Sequence, residues 1–305
     1  MVESWPLDGR EGLGDRLRRV FESGRLPHAW LLHGAFGVGK RRLALALAKG
    51  LLCREGPSFL GCGWCVPCGQ AERGGHPDLL VLERPEGKAR IPVALVRGLV
   101  GDLGKAAVSG RGRVALCAEA EALGVEGQNA LLKTLEEPLP GAWLILTTTR
   151  PDALLPTVRS RVESYKVPPL PEDGLRAWIR ARGLVSDSEV EDLVRLAGGS
   201  PGTALRIVEE GWLPRIRPLL AGRGGEESKG LEAIFEEGEG GKAGREEKRA
   251  RAAFACDLCL AALRTRFPEA GALARAEALL RAKARLDLGL GAEIVLRSLE
   301  DDYIL

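Results

Sequence analysis

The chain has 305 residues, of which 45% are hydrophobic and 28% are charged. Its 44 basic and 42 acidic residues give a formal net charge of +2, which argues against a basic nucleic-acid coat protein and an acidic disordered chain. Apolar runs of about 18 residues are absent, and the first residues lack the basic-then-apolar pattern of a secretory signal. We therefore expect a cytoplasmic protein with no membrane span, large enough for two or three domains.

The first half of the chain alternates short apolar runs with helical patterns. Strands are predicted at residues 30–33, 78–83, 113–118 and 143–148, and helices at residues 41–52, 93–100 and 126–137. Buried apolar strands that alternate with helices are typical of a parallel sheet covered on both faces. Residues 1–167 are therefore predicted to form one α/β domain.

The second half of the chain shows helical patterns and no strand pattern. It begins after a proline-rich break at residues 168, 169 and 171. Helices are predicted at residues 171–183, 187–197, 203–210, 246–267, 270–288 and 292–299. Residues 222–247 are rich in glycine and charge, which predicts a solvated loop around a short helix. The predicted fold class is thus an α/β domain followed by all-α structure.

A glycine-rich segment, GAFGVGK at residues 34–40, matches the phosphate-loop pattern G-x-x-x-x-G-K between a predicted strand and a predicted helix. Gly34, Gly37 and Gly39 would let backbone N–H groups surround a phosphate, and Lys40 would reach its outer oxygens. The alternative is a plain glycine-rich turn with an exposed lysine. The strand before the loop and the helix after it favour the phosphate site.

Two groups that hold Mg²⁺ in active phosphate-loop enzymes are replaced. Arg41 stands where a Ser or Thr hydroxyl would ligate the cation. Ala118 stands where an acidic ligand is expected, although a shift of one residue would give that role to Glu119. Because phosphoryl transfer depends on a metal that bridges the outer phosphates, we expect slow or no hydrolysis. Binding of ATP and Mg²⁺ is expected to be weak, with Arg41 supplying part of the missing positive charge.

The first four of seven cysteines form a C-x8-C-x2-C-x2-C cluster made of Cys53, Cys62, Cys65 and Cys68. Four thiolates around one tetrahedral Zn²⁺ are the simplest account of this spacing. Disulfides are the alternative, which a reducing cytosol disfavours. Four protein ligands leave no open position, so the predicted zinc is structural rather than catalytic. The other cysteines, at 117, 256 and 259, are predicted to be buried small hydrophobes.

Five motifs lie in a characteristic order along the chain. They are LPHAW at 26–30, the phosphate loop, the four-cysteine insert after the loop's helix, NALLKTLEEP at 129–138 and RSR at 159–161. Together they resemble the bacterial clamp-loader AAA+ proteins of DNA polymerase III, strongly over residues 20–205 and only in architecture beyond. The resemblance implies a RecA-like AAA+ domain at 1–167, a three-helix lid at 168–211 and a helical collar at 212–305.

Two branches of this family share these motifs, an ATP-hydrolysing tau/gamma branch and a delta-prime branch. The ATP-hydrolysing branch has Thr after the loop lysine, an acidic pair after the relevant strand and a sensor arginine in the lid. This chain has Arg41, Ala118 followed by Glu119, and Gly202 at those places. The three departures make it resemble the delta-prime branch, whose ATP site is degenerate in many members. No ATP hydrolysis is expected from this chain alone.

The resemblance also implies a role and a set of partners. A delta-prime subunit is a comparatively rigid arm that joins the ATPase (tau/gamma) subunits to the delta subunit, and it reaches the sliding clamp and primed DNA through the complex. Carried onto this sequence, Arg161 becomes an arginine finger that acts in trans on a neighbouring ATP site. The family motif usually ends in Cys, where this chain has Val162.

Two other functions remain open from the sequence. An active ATP-driven motor would use Lys40 and Glu119. A zinc-dependent nucleic-acid binder would use the cysteine segment, but this segment carries one aromatic residue, Trp64, and few basic neighbours. Base stacking and phosphate neutralisation both require more than that.

Overall fold

The computed structural model describes residues 9–221, 244–264 and 272–292, together with 294, 295 and 298. The chain divides into two compact units, Met1–Leu170 and Pro171–Leu305. The short helix predicted within 222–247 and half of the residues of the helix predicted at 292–299 lie outside the described residues. In the part of the chain that is described, no helix is both long and apolar enough to cross a membrane.

The first unit is built on a five-stranded sheet with the order β2-β3-β4-β1-β5. Its strands are β1 Ala29–His33, β2 Leu79–Leu82, β3 Arg113–Cys117, β4 Ala142–Thr148 and β5 Glu163–Lys166. Every neighbouring pair is parallel, which confirms the predicted sheet. The four predicted strands are present with ends shifted by one residue at most places.

Helices cover both faces of this sheet. They are α1 Glu11–Glu22, α2 Lys40–Leu51, α3 Val66–Glu72, α4 Val93–Leu103, α5 Val125–Glu136 and α6 Pro156–Arg159. Successive strand residues point to opposite faces, so Leu31 packs under α4 and α5 while Trp30 and Leu32 pack under α1 and α2. The two resulting cores explain why the strands read as continuous apolar runs.

Strand β5 and helix α1 were not among the elements predicted from the sequence. Strand β5 reads Glu-Ser-Tyr-Lys and lies at the edge of the sheet, where only Tyr165 is buried. The Tyr165 ring stacks on Trp30 of β1, with ring centroids 5.4 Å apart. Helix α1 buries Leu17 and Phe21 against the same core. Strand β5 lacks an alternating apolar pattern, whereas α1 has apolar residues at 13, 17, 20 and 21 that form one face, and this face packs on the core.

A buried carboxylate, Asp78, fastens the loop between α4 and β3. Its oxygens accept the backbone N–H groups of Val108 at 2.8 Å and Ser109 at 2.7 Å. The Arg113 Nε atom lies 3.3 Å from Asp78 Oδ1. Burial acts to raise the pKa of Asp78, but the hydrogen bonds from Ser109 and Val108 and the charge of Arg113 outweigh it, so the pKa lies below its usual range.

Replacing Asp78 with asparagine is expected to lower the free energy of unfolding by about 3–5 kcal/mol at pH 7, because Arg113 would lose its buried partner. The depressed pKa means that this stabilisation is complete above the unfolded value of about 3.9 and is lost as the pH falls through the lower folded value. Urea unfolding followed by tryptophan fluorescence checks both statements. The difference in the free energy of unfolding between the wild type and Asp78→Asn should become smaller below about pH 4.

Asp102→Asn is the matched control, because Asp102 is half-exposed and pairs with Lys105 within one helical turn. Loss of this ion pair is expected to lower the free energy of unfolding by less than about 1 kcal/mol. Equal effects of the two substitutions at pH 7 would show that Asp78 is not an anchor of this loop.

The described residues of the second unit form helices joined by turns, and none of them forms a strand. They are α7 Glu172–Arg182, α8 Val190–Ala197, α9 Pro201–Glu209, α10 Trp212–Ala221, α11 Arg245–Arg264 and α12 Ala272–Asp287. Helices α8 and α10 pack against α11, and α11 packs against α12. Within the described residues, the helices predicted at 171–183, 187–197, 203–210, 246–267 and 270–288 are confirmed, with ends shifted by a few residues. The division into a lid and a collar at residue 211 stays a prediction.

The segment expected to carry a sensor arginine begins α9. Ser200 Oγ caps this helix by accepting the Thr203 N–H at 3.1 Å, and Gly202 follows in its first turn. One turn later, Arg206 lies over the Phe254 ring at 3.9 Å and pairs with Glu210 at 2.7 Å. Arg206 is therefore bound to groups of the second unit itself.

Candidate phosphate-binding loop and metal centre

The glycine-rich loop connects the end of β1 to the start of α2. Gly34, Gly37 and Gly39 have φ angles of +156°, +70° and +99°. A Cβ atom at Gly34 would lie 2.4 Å from the Val167 carbonyl oxygen, so the loop can pass β5 only with glycine at this position. The predicted strand, loop and helix therefore occur in the order that a phosphate site requires.

The loop lysine is bound to the loop's own backbone. Lys40 is 9% exposed, and its Nζ donates to the carbonyl oxygens of Gly34 at 2.9 Å and Ala35 at 2.7 Å. Burial lowers the pKa of Lys40, and the charges of Glu121 and Glu119 oppose that effect. The ammonium group is thus held by two carbonyl oxygens of the loop.

Helix α2 begins with three basic residues, Lys40, Arg41 and Arg42, and has no acidic residue in its first turn. A helix N-terminus favours negative charge, so this arrangement leaves the end of α2 strongly positive. Arg41 forms an ion pair with Glu83, which directly follows β2. The residue in the position of the cation-binding hydroxyl therefore supplies a positive charge and no ligand atom.

The acidic residues after β3 are engaged by neighbours. Strand β3 ends at Cys117, Ala118 is buried, and Glu119 adopts a left-handed conformation with φ +55°. Its carboxylate accepts a hydrogen bond from Arg84 Nε at 2.7 Å. The structure thus places Glu119 near the loop lysine but in an ion pair with an arginine.

Two residues near the loop were missed by the sequence reasoning. Glu121 accepts the backbone N–H of Thr149 at 3.0 Å, and hydrogen bonds from Thr149 lower its pKa although burial acts in the opposite direction. Arg10 is buried and donates from Nη2 to the Val38 carbonyl at 2.8 Å. Burial lowers the pKa of Arg10 to about 10. Neither residue belongs to a motif, so no sequence signal identified them.

The four predicted metal ligands come together. The sulfur atoms of Cys53, Cys62, Cys65 and Cys68 all lie within 4.8 Å of one another. The Cys53–Cys65 distance is 4.0 Å and the Cys62–Cys68 distance is 3.9 Å. Tetrahedral zinc with bonds of about 2.3 Å would hold its sulfurs about 3.8 Å apart, whereas a disulfide needs about 2.05 Å. The arrangement fits a four-thiolate metal site.

The backbone around the cluster is shaped to bring the sulfurs together. Gly61 has φ +75°, and a Cβ atom there would lie 2.8 Å from Cys68 Sγ. Burial acts to raise the pKa of both Cys65 and Cys68; hydrogen bonds from Arg54, Cys68 and Cys62 lower that of Cys65 to about 6, whereas that of Cys68 is raised to about 12 without a metal. A bound cation would deprotonate a coordinating thiol of either kind. A thiolate is the form that binds metals. The donor set and its surroundings are therefore compatible with Zn²⁺.

The three remaining cysteines are buried free thiols. Burial raises the pKa of Cys117 and of Cys256 to about 12, and it also raises the pKa of Cys259. Within the described residues, none of the three belongs to a group of three or more possible metal ligands. The prediction that they are small core residues is confirmed.

The predicted arginine finger lies at the opposite end of the sheet from the loop. Arg161 precedes β5, whose first residue pairs with Trp30 near the start of β1, whereas the loop follows the end of β1. Strand β1 is five residues long, which separates the two ends by about 16 Å. The Arg161 side chain is 36% exposed and pairs with Glu136 at 2.9 Å.

The parallel sheet, the glycine-rich loop and the helix that follows it define a phosphate-loop protein of the α/β class. Residues 9–171, more than half of the chain, match the family model described as "DNA polymerase III, delta subunit". The chain belongs to this family.

Relatives with established names support the same family. The DNA polymerase III subunit delta' of Pseudomonas aeruginosa is 41% identical over 186 residues, which cover 60% of this chain and 56% of that protein. The delta' subunit of Escherichia coli K12 is 34% identical over 202 residues, which cover 66% of this chain and 60% of that protein. The matches thus span less than two thirds of these relatives. They confirm the resemblance to the delta-prime branch.

Similarities to other DNA polymerase III proteins are consistent with this family. The tau subunit of Escherichia coli K12 is 36% identical over 209 residues, which cover 66% of this chain and 32% of that protein. A solved structure of a DNA polymerase III gamma subunit-related protein from Thermotoga maritima has a TM-score of 0.57 and 17% identity. It covers 96% of this chain and 99% of that one, which shows a shared fold.

Proposed function

We propose that this chain is a clamp-loader subunit of the delta-prime type that does not hydrolyse ATP and supports hydrolysis by its neighbours. Its partners are the ATPase (tau/gamma) subunits and the delta subunit, and it reaches the sliding clamp and primed DNA through the complex. The names of the relatives support this assignment. The observations that carry the non-hydrolysing role lie beside the phosphate loop: Arg41 replaces the hydroxyl ligand, and Glu119 is paired with Arg84.

The chemistry of those groups explains why hydrolysis should fail. A bridging cation neutralises the charge that develops on the outer phosphates. Arg41 would repel that cation, and Glu119 is paired with Arg84 at 2.7 Å. Lys40 remains, but a lysine without a metal supplies only part of the required charge. The loop therefore serves as a structural element or as a weak anion site.

In this proposal Arg161 is an arginine finger that acts on an ATP site of a neighbouring subunit. Its place supports action in trans, because about 16 Å of sheet separates it from the loop of its own chain. A guanidinium stabilises the spread charge of the transferring phosphate with several parallel N–H donors. Its partial exposure leaves it available to another molecule.

The cysteine cluster is assigned a structural zinc in the same proposal. Cys53, Cys62, Cys65 and Cys68 supply four ligands, which leaves no position for a substrate. The exposed Trp64 beside them supports a role as a protruding module, but one aromatic side chain is too little for a stacking surface. The domain layout of the proposal is 1–167, 168–211 and 212–305.

The purified chain alone is expected to hydrolyse ATP no faster than its Lys40→Ala variant, with Mg²⁺ and primed DNA present. The physical reason is the missing cation, since Arg41 and Glu83 form an ion pair where the hydroxyl ligand would be. Release of inorganic phosphate measures the rate.

Turnover that depends on Lys40 would contradict the proposal. In that case Glu119 would have to leave Arg84 and bind the cation, and the chain would be a motor subunit. The variant Glu119→Gln would then abolish the activity, which separates a true site from a contaminating ATPase.

A further inference from the structure

We infer that Glu136 is the positioning residue for Arg161, and that it holds the guanidinium ready for a phosphate of the neighbouring subunit. This inference rests on the proposed role of Arg161. The two residues belong to separate motifs of the sequence, and the fold brings them together. Glu136 is the last residue of α5, and Arg161 follows α6.

Three contacts from two elements fix the guanidinium. Its Nη2 atom lies 2.9 Å from Glu136 Oε1. Its Nη1 atom donates to the Thr157 carbonyl at 2.9 Å and to Ser160 Oγ at 3.2 Å. Both terminal nitrogens are therefore oriented by the protein.

The elements that supply these contacts are anchored in the core. Helix α5 buries Leu131 and Leu135, and α6 buries Val158 in the same cluster. Helices α5 and α6 also pack against each other. The backbone that carries Glu136 is thus anchored in the core, although the Glu136 side chain is half-exposed.

The contacts leave donors for a ligand. A guanidinium has five N–H groups, and the three contacts use at most three of them. The Nε–H group and one Nη2–H group remain on a side chain that is 36% exposed. These remaining donors are sufficient for a two-point contact with phosphate oxygens.

An ion pair between two half-exposed side chains adds little to stability, so its value lies in orientation. A free arginine samples many rotamers, and ordering such a side chain on docking weakens an interaction by about two- to tenfold. A carboxylate beside the guanidinium also repels phosphate. The sign of the effect of removing it therefore distinguishes positioning from repulsion.

The test uses the full complex, reconstituted from this chain and its cognate partner subunits with clamp and primed DNA. Glu136→Gln is expected to slow ATP hydrolysis by about two- to tenfold at the one site that receives Arg161, measured as the rate of that site's share of the burst of phosphate release, with an unchanged KM for ATP. In an Arg161→Ala background the same substitution should have no further effect. A structural role of Glu136 would instead lower the rate in both backgrounds.

Glu137→Gln is the matched control, because it removes the same charge one residue away. The Glu137 side chain is exposed and makes no ion pair within the described residues. An equal rate in Glu136→Gln and Glu137→Gln, or a faster rate in Glu136→Gln, overturns the inference. If Arg161→Ala itself leaves the rate unchanged, the proposed role of Arg161 fails, and the inference fails with it.

Discussion

Replacing Arg161 with alanine in the assembled complex is expected to slow ATP hydrolysis at the site that receives this residue by about 10³-fold or more. An arginine finger acts on the charge of the transition state, so the loss should appear in the chemical step and leave ATP binding nearly intact. Pre-steady-state phosphate release measures this directly. The burst should lose the amplitude contributed by the affected site, while the other sites keep their rate.

Arg159→Ala is the control for this experiment. Arg159 lies two residues away in the same motif and pairs with Asp152 at 2.9 Å on the surface. Its removal is expected to leave the burst unchanged. Arg161→Lys should behave almost like the alanine variant, because an ammonium group cannot reproduce the planar set of donors. A full burst from an intact Arg161→Ala complex would rule out the finger.

The purified chain is expected to contain one zinc ion, and Cys68→Ala is expected to lose it. The variant keeps only three of the four thiolate ligands that a structural zinc site requires. Because the binding energy of structural zinc is part of the folding energy, the loss of zinc also destabilises the fold. A loss of several kcal/mol would lower the melting temperature of the first unit by about 10 °C. Elemental analysis and thermal unfolding check the two parts of this prediction.

Cys256→Ala separates loss of metal from loss of a buried sulfur. Cys256 lies in α11 among apolar neighbours and far along the chain from the cluster. This variant should keep the zinc, although its own helix packing loses a small side chain. Wild-type protein without zinc, or with a disulfide between Cys53 and Cys65, would contradict the structural-zinc assignment.

Most of the first unit could be predicted from the sequence, because its signals are local. Apolar runs predict β1 to β4, and the order of strand, glycine-rich loop and helix predicts the phosphate loop. Edge strand β5 escaped prediction because its polar residues face solvent, and Tyr165 finds its partner only across the sheet. Helix α3, inside the cysteine segment, was hidden by the glycines and cysteines around it.

The candidate sites divide in the same way. The four cysteines were predictable because ligands of one metal lie close together in the sequence, and the structure brings their sulfurs within 4.8 Å. Glu121 and Arg10 were not predictable, because they lie outside the motifs, Glu121 in the segment after β3 and Arg10 directly before α1. Spacing in the sequence can indicate a set of metal ligands. It does not reveal which side chains from distant segments lie beside a site.

The sequence by itself determined the α/β class of the first unit, the glycine-rich loop with its lysine, the cysteine cluster and the replacement of the hydroxyl after the lysine. These properties depend on residue type and spacing along the chain. Only the tertiary structure decided that Arg84 binds Glu119, that Glu83 binds Arg41 and that Glu136 holds Arg161. The two residues of each pair come from segments that are distant in the sequence. Their pairing therefore follows from the strand order and the helix packing, which spacing along the chain does not reveal.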